Sequence, residues 1–306
     1  MDPSDMRARR HPVVVGVGPR HASWLALTWA AEEATRRRRP LHVIHAAGSG
    51  ALSGTHSGKH SDEHPDTSGP DGRGEPSTPA LAAAVSRARA LSPGLEVTAE
   101  VCDATPERAL TEASAYASCI VVGGHGRGSL AGQLLGSTAD EVAVHAACPV
   151  VAVRGSDEAQ HARSSVVVGV DGSELSASAV GYAFARAAEH RLPLTVVHAC
   201  PSRGSKDYVP PWRCADPAAG VEAERAATAQ ELAGWSGEYP DVRVNAHVLR
   251  ADPVSALVDH SRDAALLVVG SRGFGGWSGR LVGSVSQAVM GRAHCPVAVV
   301  RSDNPS

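Results

Sequence analysis

The sequence predicts an α/β protein made of two tandem, doubly wound domains, each with a five-stranded parallel sheet flanked by helices. Three features predict this fold. The two halves of the chain resemble each other, short β-branched apolar runs alternate with alanine-rich helical patterns, and those apolar runs are nearly continuous. Continuous apolar strands are typical of sheets that are buried on both faces. Alternating strands and helices indicate right-handed crossovers between parallel strands.

The internal repeat has a long offset. Two pairs of similar segments lie 153 positions apart, and two further pairs lie 147 positions apart. The pairs are 11–20 with 164–173, 41–47 with 194–200, 120–128 with 267–275, and 145–154 with 292–301. A period of this length is that of a whole domain and not of a solenoid repeat. We therefore predict domains at residues 1–155 and 156–306.

The elements of the second half follow from its patterning. Strands are predicted at Val166–Val170, Leu194–His198, Val242–Leu249, Ala265–Val269 and Pro296–Val300, and helices at Leu175–Glu189, Val221–Trp235 and Pro253–Arg262. The first half departs from the pattern at residues 48–79, which are rich in Gly, Ser, Pro and His and predict a long disordered loop. The spacing of His56, His60 and His64 would suit a metal site on a helix. The composition instead favours a flexible polar loop.

Composition excludes several classes of protein. The formal charge of −3 gives no reason to expect a nucleic-acid or membrane partner. No apolar run approaches the roughly 20 residues of a membrane helix, and the N-terminus lacks the apolar core of a signal peptide. Six cysteines without C-x-x-C spacing predict buried thiols in a reduced, cytoplasmic protein. The four arginines at 36–39 predict a solvated helix end.

A glycine-rich segment follows a buried strand in each half. Gly270 to Gly273 is followed by nine residues and then by Gly283-Ser284 at the start of a helix. Helix N-termini bind anions, and glycines let backbone N–H groups approach a phosphate. Ser284 is predicted to be the N-cap or a hydroxyl donor to phosphate, and Arg272 can pair with a phosphate. The alternative is that these are only turn glycines.

Three motifs together resemble the universal stress protein family. They are G-x2-G-x9-G-[S/T] after the fourth strand, "VVGVDGS" in the first strand, and "CPV-x-VV" in the last strand. The resemblance covers both halves apart from residues 48–79. It implies a flavodoxin-like (Rossmann-like) sheet of order 3-2-1-4-5 in each half. It also implies ATP across the ends of the first and fourth strands, since the family's adenine-nucleotide-binding branch carries this glycine motif.

The resemblance implies a nucleotide site in each half. In the second half, Asp171 would bond the ribose or a phosphate-bound Mg²⁺, and backbone around Ala199, just past the second strand, would read the adenine edge. The other second-half residues of the site would be Gly172 and Ser173, close to Asp171; Gly270, Ser271, Arg272 and Gly273, near the ribose and phosphates; and Gly283, Ser284 and Val285, along the phosphate chain. Their first-half counterparts are Gly123, Gly124, His125, Gly126, Gly136, Ser137, Thr138 and the loop at Ala46.

The first half departs from the family pattern at Gly18, where the aspartate is expected, and at Pro19-Arg20 in place of Gly-Ser. The sequence therefore predicts tighter ATP binding in the second half than in the first.

Three functions remain open from the sequence. The leading interpretation is an ATP-binding stress-response sensor or regulatory module, without catalysis beyond slow ATP hydrolysis. The alternatives are a small ATP-dependent enzyme, with slow hydrolysis or adenylyl transfer, and an interaction scaffold that has lost nucleotide. No catalytic constellation is recognisable by spacing, and His45 and His198, which end matching strands, favour a structural role. The apolar final strands predict that the two halves pair as an intrachain pseudo-dimer, which could also form a homodimer.

Overall fold

The computed structural model describes residues 11–18, 21–48, 79–124, 136–154, 164–173, 176–200, 217–271 and 282–301. The first half contains strands β1 (Val13–Gly16), β2 (Leu41–Ala46), β3 (Val97–Cys102), β4 (Cys119–Gly123) and β5 (Val150–Val153). Its helices are α1 (His21–Arg36), α2 (Pro79–Leu91), α3 (Pro106–Ala113) and α4 (Ser137–His145). The long loop predicted at 48–79 lies outside the described residues except for its two ends.

The second half repeats the same alternation of elements. Its strands are β6 (Ser165–Val170), β7 (Leu194–Cys200), β8 (Val244–Arg250), β9 (Ala264–Gly270) and β10 (Val297–Val300). Its helices are α5 (Ala177–His190), α6 (Pro217–Glu238), α7 (Pro253–His260) and α8 (Ser284–Arg292). The predicted second-half strands and helices are all present, with ends that differ by up to four residues.

The ten strands form one sheet in the order β3-β2-β1-β4-β5-β10-β9-β6-β7-β8. Each half therefore has the predicted order 3-2-1-4-5, and neighbouring strands within a half are parallel. The halves join through β5 and β10, which pair antiparallel with Val151 opposite Ala298. These two residues lie 147 positions apart, so equivalent residues meet at the centre of a pseudo-twofold arrangement. This is the intrachain pairing that the final strands predict.

One apolar cluster lies on each face of the sheet, and each cluster contains residues of both halves. Alternate residues of a strand point to opposite faces, so Val13 and Val166 belong to one cluster and Val14 and Val167 to the other. Phe184, which is fully buried, packs with Trp235 and Tyr239 at stacked ring angles. The two halves therefore share their cores across the central strands.

Charged side chains connect α1 with α5 across the centre. Glu33 is fully buried, and its Oε1 accepts a hydrogen bond from Arg186 at 3.3 Å. Its Oε2 lies 3.1 Å from His190 Nε2 and 2.8 Å from Arg36 Nη1. The prediction of a solvated arginine run is wrong for Arg37, whose side chain is 7% exposed and lies beside the acidic side chains of this cluster. Sequence alone could not show that a second helix covers this helix end.

On the other face, two arginines contact the helices of the opposite half. Arg154, just after β5, donates to the carbonyl oxygens of Met290 and Gly291 in the last turn of α8. Arg301, just after β10, donates to the carbonyl oxygen of Val144 at 2.6 Å, in the last turn of α4. Arginine suits such a position because the last carbonyls of a helix lack partners and carry partial negative charge. Arg301 lies 147 positions after Arg154, and Gly291 lies 147 positions after Val144, so the two contacts are equivalent under the repeat.

The described cysteines only partly match the expected burial. Cys119, Cys148 and Cys295 are buried thiols, whereas Cys102 and Cys200, at the ends of β3 and β7, are partly exposed. Burial raises the pKa of Cys102 to about 11, with a further contribution from Glu100. Among the helices of the described residues, none has both the length and the apolar character needed to cross a membrane.

Candidate functional site

A cavity of about 590 Å³ opens at the carboxyl ends of β1, β2 and β4 in the first half. In a doubly wound sheet the crossovers diverge on the two sides of the first strand, and this divergence leaves a crevice in which ligands bind. The volume is within the range of small-molecule sites. The residues predicted for the first-half site that line the cavity are Ala46, Gly123, Gly124, Gly136, Ser137 and Thr138, together with Gly18. His125 and Gly126 lie outside the described residues.

The cavity has an apolar wall and a polar end. The apolar wall consists of Leu25, Ile44, Leu110 and Val122. The polar end is the start of α4 with Ser137 and Thr138. The Thr138 hydroxyl donates to Glu107 Oε1 at 2.6 Å, so this hydroxyl already has an acceptor. Such a division suits a ligand with one flat apolar part and one anionic part.

Gly123 has a packing role as well as a place in the site. A Cβ on this residue would lie 2.5 Å from the carbonyl oxygen of Ala22, near the start of α1. The glycine therefore lets α1 begin directly above the end of β4. This contact supports the turn-glycine interpretation for this one position.

The helices that begin at the glycine motifs lack side-chain caps. The N-caps of α4 and α8 are Gly136 and Gly283, and neither forms a side-chain cap hydrogen bond. Of the two roles predicted for Ser284, that of N-cap is excluded, because Ser284 is already the first residue of α8. The role of hydroxyl donor to phosphate stays a prediction. By contrast, Thr105 caps α3 and Asp252 caps α7 through their side chains. No side-chain cap therefore occupies the first N–H groups of α4 and α8, which suits an anion.

The two ends of the second-half glycine motif are in contact. The Gly283 N–H donates to the carbonyl oxygen of Ser271 at 2.7 Å, and the Ser286 hydroxyl donates to that of Gly270 at 2.5 Å. Ser271 also donates its N–H to Val300 at 2.7 Å. Val285 packs against the apolar cluster on its side of the sheet. Arg272 and Gly273 lie outside the described residues.

Asp171 organises the turn after β6. Its Oδ1 accepts the Ser173 N–H at 3.0 Å and the Ser173 hydroxyl at 2.6 Å. Gly172 between them has φ +76°, which favours glycine. This is the geometry of an Asx turn, and Gly18 in the first half has no side chain that could form it.

The fold also brings Glu231 of α6 near Asp171, which sequence reasoning missed. Burial raises the pKa of Glu231, a hydrogen bond from Ser176 lowers it, and the charge of Asp171 raises it. The Ser176 hydroxyl lies 3.2 Å from Glu231 Oε1. No spacing signal connects residues 60 positions apart on separate elements, so only the folded structure shows this pair of carboxylates.

The predicted adenine-reading segments lie inside strands and not in the loops after them. Ala199 is within β7 and pairs with Leu249 of β8, and Ala46 is the last residue of β2. His45 Nδ1 lies 3.1 Å from the carbonyl oxygen of Val17, which fixes the ring beside the cavity. The strands extend further than predicted because each is hydrogen-bonded to a neighbour whose length the sequence alone does not give.

Comparison with known proteins identifies the family. The model of the universal stress protein family matches residues 9–154 and again residues 163–301. A universal stress protein of Mycolicibacterium smegmatis is 35% identical over 299 residues, which cover 96% of this chain and 98% of that protein. One of Mycobacterium tuberculosis is 35% identical over the same length and the same shares.

A solved structure shows the same fold. A universal stress protein of Archaeoglobus fulgidus matches with a TM-score of 0.63 at 18% identity, over 96% of this chain and 99% of that one. A universal stress protein in complex with cAMP also matches 46% of this chain, at 29% identity and a TM-score of 0.34. With two matches to the family model and relatives that align over nearly its whole length, the chain belongs to the universal stress protein family.

Proposed function

We propose that this protein binds ATP at the carboxyl ends of its strands and acts as a cytoplasmic, nucleotide-responsive regulatory module in the stress response. The observation that supports this most is the 590 Å³ cavity, which has an apolar wall and ends at a helix start without a side-chain cap. Family membership supports the stress-response role. Cysteines that are thiols and not disulfides, as the described ones are, are typical of a reducing compartment.

The residues of the cavity fit the two parts of an adenine nucleotide. The side chains of Leu25, Ile44 and Leu110 would contact the base and sugar. The first N–H groups of α4 would donate to phosphate oxygens. Glu107, beside Thr138, would place a carboxylate near a phosphate-bound Mg²⁺. When bound, such an ion would neutralise part of the phosphate charge.

We also propose that turnover of the nucleotide is at most slow. Phosphoryl transfer requires positioning and neutralisation of the charge that develops on the transferred group. In the second half, neutralisation of that charge would depend on Arg272 and a bound metal ion. Adenylyl transfer or faster hydrolysis would require a further cationic group, and the sequence motif supplies none beyond Arg272.

Nucleotide analysis of the purified protein tests the proposal. We expect ATP or ADP to be released on denaturation, and nucleotide-free protein to bind ATP in calorimetric titration. Gly136→Val should abolish binding in the first half, since a branched side chain would stand where phosphate approaches the start of α4.

Gly237→Val is the matched control, because Gly237 lies in α6 and a Cβ added there would have no atom of another element within 4 Å. This variant should bind ATP as the wild type does. Failure of the wild type to bind any adenine nucleotide would contradict the proposal and favour an interaction scaffold. Multiple rapid turnovers of ATP would instead favour the enzyme.

A further inference from the structure

Three side chains that can bind a metal ion converge between β7 and α6. They are His198 and Cys200 of β7 and Glu224 of α6, and one donor atom from each lies within 4.8 Å of the other two. Residues i and i+2 of a strand point to the same face, so the imidazole and the thiol both face α6. The cluster is on the opposite face of β7 from Ala199, which packs against the other apolar cluster.

The hydrogen bonds of His198 determine which ring nitrogen faces Glu224. The Thr228 hydroxyl donates to the carbonyl oxygen of Glu224 at 2.8 Å, so its oxygen is free to accept the Nδ1–H of His198 at 3.3 Å. The neutral ring then has its lone pair on Nε2, which lies 3.4 Å from Glu224 Oε2. Two electron-pair donors that face each other at this distance require a cation between them, either a proton or a metal ion.

The donor set selects the class of ion. Nitrogen, sulfur and carboxylate oxygen together are the ligands of Zn²⁺, whose bonds to them are roughly 2.0–2.3 Å long. A tetrahedral ion with such bonds holds its donors roughly 3.3–3.8 Å apart. The donor atoms, which lie within 4.8 Å of one another, would therefore have to move closer together when an ion binds.

The environment of the cluster resembles that of a metal site in two further respects. His198 is 2% exposed and Thr228 is 4% exposed, so the imidazole is held by a buried second partner. Cys200 is partly exposed and the Glu224 side chain is 14% exposed, so an ion can enter from solvent. The backbone of Cys200 is fixed because its carbonyl oxygen accepts the Ala251 N–H at 3.1 Å.

The repeat provides an internal comparison. The positions of the first half equivalent to His198 and Cys200 are His45 and Ala47, so the first half keeps the imidazole and lacks the thiol. His45 instead has its Nδ1 at 3.1 Å from the carbonyl oxygen of Val17. The donor cluster is thus particular to the second half and is not a requirement of the fold.

We propose that His198 Nε2, Cys200 Sγ and a Glu224 carboxylate oxygen bind one Zn²⁺ ion, with Thr228 orienting the imidazole and water completing the coordination. The thiol loses its proton on binding, as thiolate ligands of metals do. Binding therefore weakens as the pH falls.

Calorimetric titration of metal-free, full-length protein with Zn²⁺ tests this proposal. We expect one site per chain that depends on Cys200, together with a thiolate-to-metal absorption band when Co²⁺ is used as the probe. Cys200→Ser should abolish that band, and both Cys200→Ser and Glu224→Gln should weaken Zn²⁺ binding by more than tenfold. Thr228→Val should weaken it by roughly 10–100-fold, as expected for a partner that orients a ligand.

Two controls separate this site from other donors in the chain. Cys102→Ser removes the other partly exposed thiol among the described residues and should leave binding unchanged. Replacement of His56, His60 and His64 by Ala should leave the Co²⁺ band unchanged. Absence of Zn²⁺ binding by the wild type would overturn the proposal, as would equal affinities of the wild type, Cys200→Ser and Glu224→Gln in folded protein.

Discussion

Glu33 offers a direct test of how the two halves are held together. Its carboxylate is fully buried and contacts Arg186 and His190 of the other half. Burial alone raises the pKa of Glu33. The hydrogen bond with His190 and the charges of His190, Arg186 and Arg37 outweigh this effect and bring the pKa from 4.5 to about 2. The ionised carboxylate is therefore stabilised in the folded protein.

The pKa difference gives the magnitude and the pH range of the effect. One pKa unit corresponds to about 1.36 kcal/mol, so the fall from 4.5 to about 2 corresponds to about 3 kcal/mol. Because the folded-state pKa is the lower one, this stability is present in full above pH 4.5. It is lost as the pH falls from there through about 2.

We expect Glu33→Gln to lower the free energy of unfolding at pH 7 by about 3 kcal/mol, since it removes the buried carboxylate that Arg186 contacts and leaves this buried arginine paired, among the described residues, with the partly exposed Glu189. Urea unfolding followed by circular dichroism measures this loss. Glu32→Gln, at the partly exposed neighbour on the same helix, should change stability by no more than about 0.5 kcal/mol. The reasoning is refuted if Glu33→Gln is as stable as the Glu32→Gln control, or if it keeps the wild-type pH dependence below pH 4.5.

Three further predictions concern the nucleotide sites and the assembly. Gly283→Val should sharply weaken ATP binding in the second half while circular dichroism shows an intact fold; unchanged affinity would mean that this glycine serves only the turn. Asp171→Ala should weaken the tighter ATP site by roughly 10–150-fold in calorimetry, the value of a charge-assisted hydrogen bond; two equal sites in the wild type would contradict this asymmetry. Residues 1–155 or 156–306 expressed alone should form dimers or aggregates in size-exclusion chromatography, because each exposes a final strand; two stable monomers would exclude this.

Local sequence patterns were sufficient to predict the sheet. The central strands are short apolar runs buried on both faces, so Val166–Val170 and Ala265–Val269 lie within one residue of the observed β6 and β9. The edge strands β3 and β8 are only partly buried. The ends were less certain where the chain gives no local signal. Helix α6 runs from Pro217 to Glu238, beyond the predicted Val221–Trp235. Pro217 suits the first position of a helix, whereas residues 236–238, which read Ser-Gly-Glu, carry no local signal for continuing the helix.

The site was predictable only where one motif contains it. Gly136, Ser137 and Thr138 lie in one motif, and the structure places them together at the cavity. The proximity of Glu231 to Asp171, and that of Glu224 to His198, joins separate elements whose spacing carries no signal. One motif therefore predicts the backbone segment of the site, whereas the positions of the charged side chains around it are seen only in the folded structure.

The charges between α1 and α5 also predict that each half pairs more strongly with the other half than with a second copy of itself. Glu33 and Arg186 lie 153 positions apart, the offset that relates the first strands of the two halves, so equivalent positions carry opposite charges and face each other. Two copies of the first half paired through β5 would place two buried Glu33 side chains together, which is unfavourable for like charges. Separately purified halves should therefore form mixed pairs in preference to pairs of one kind. Arg186→Glu in the second half should remove that preference. The predicted preference is contradicted if, without this substitution, mixed pairs are no more stable than pairs of one kind.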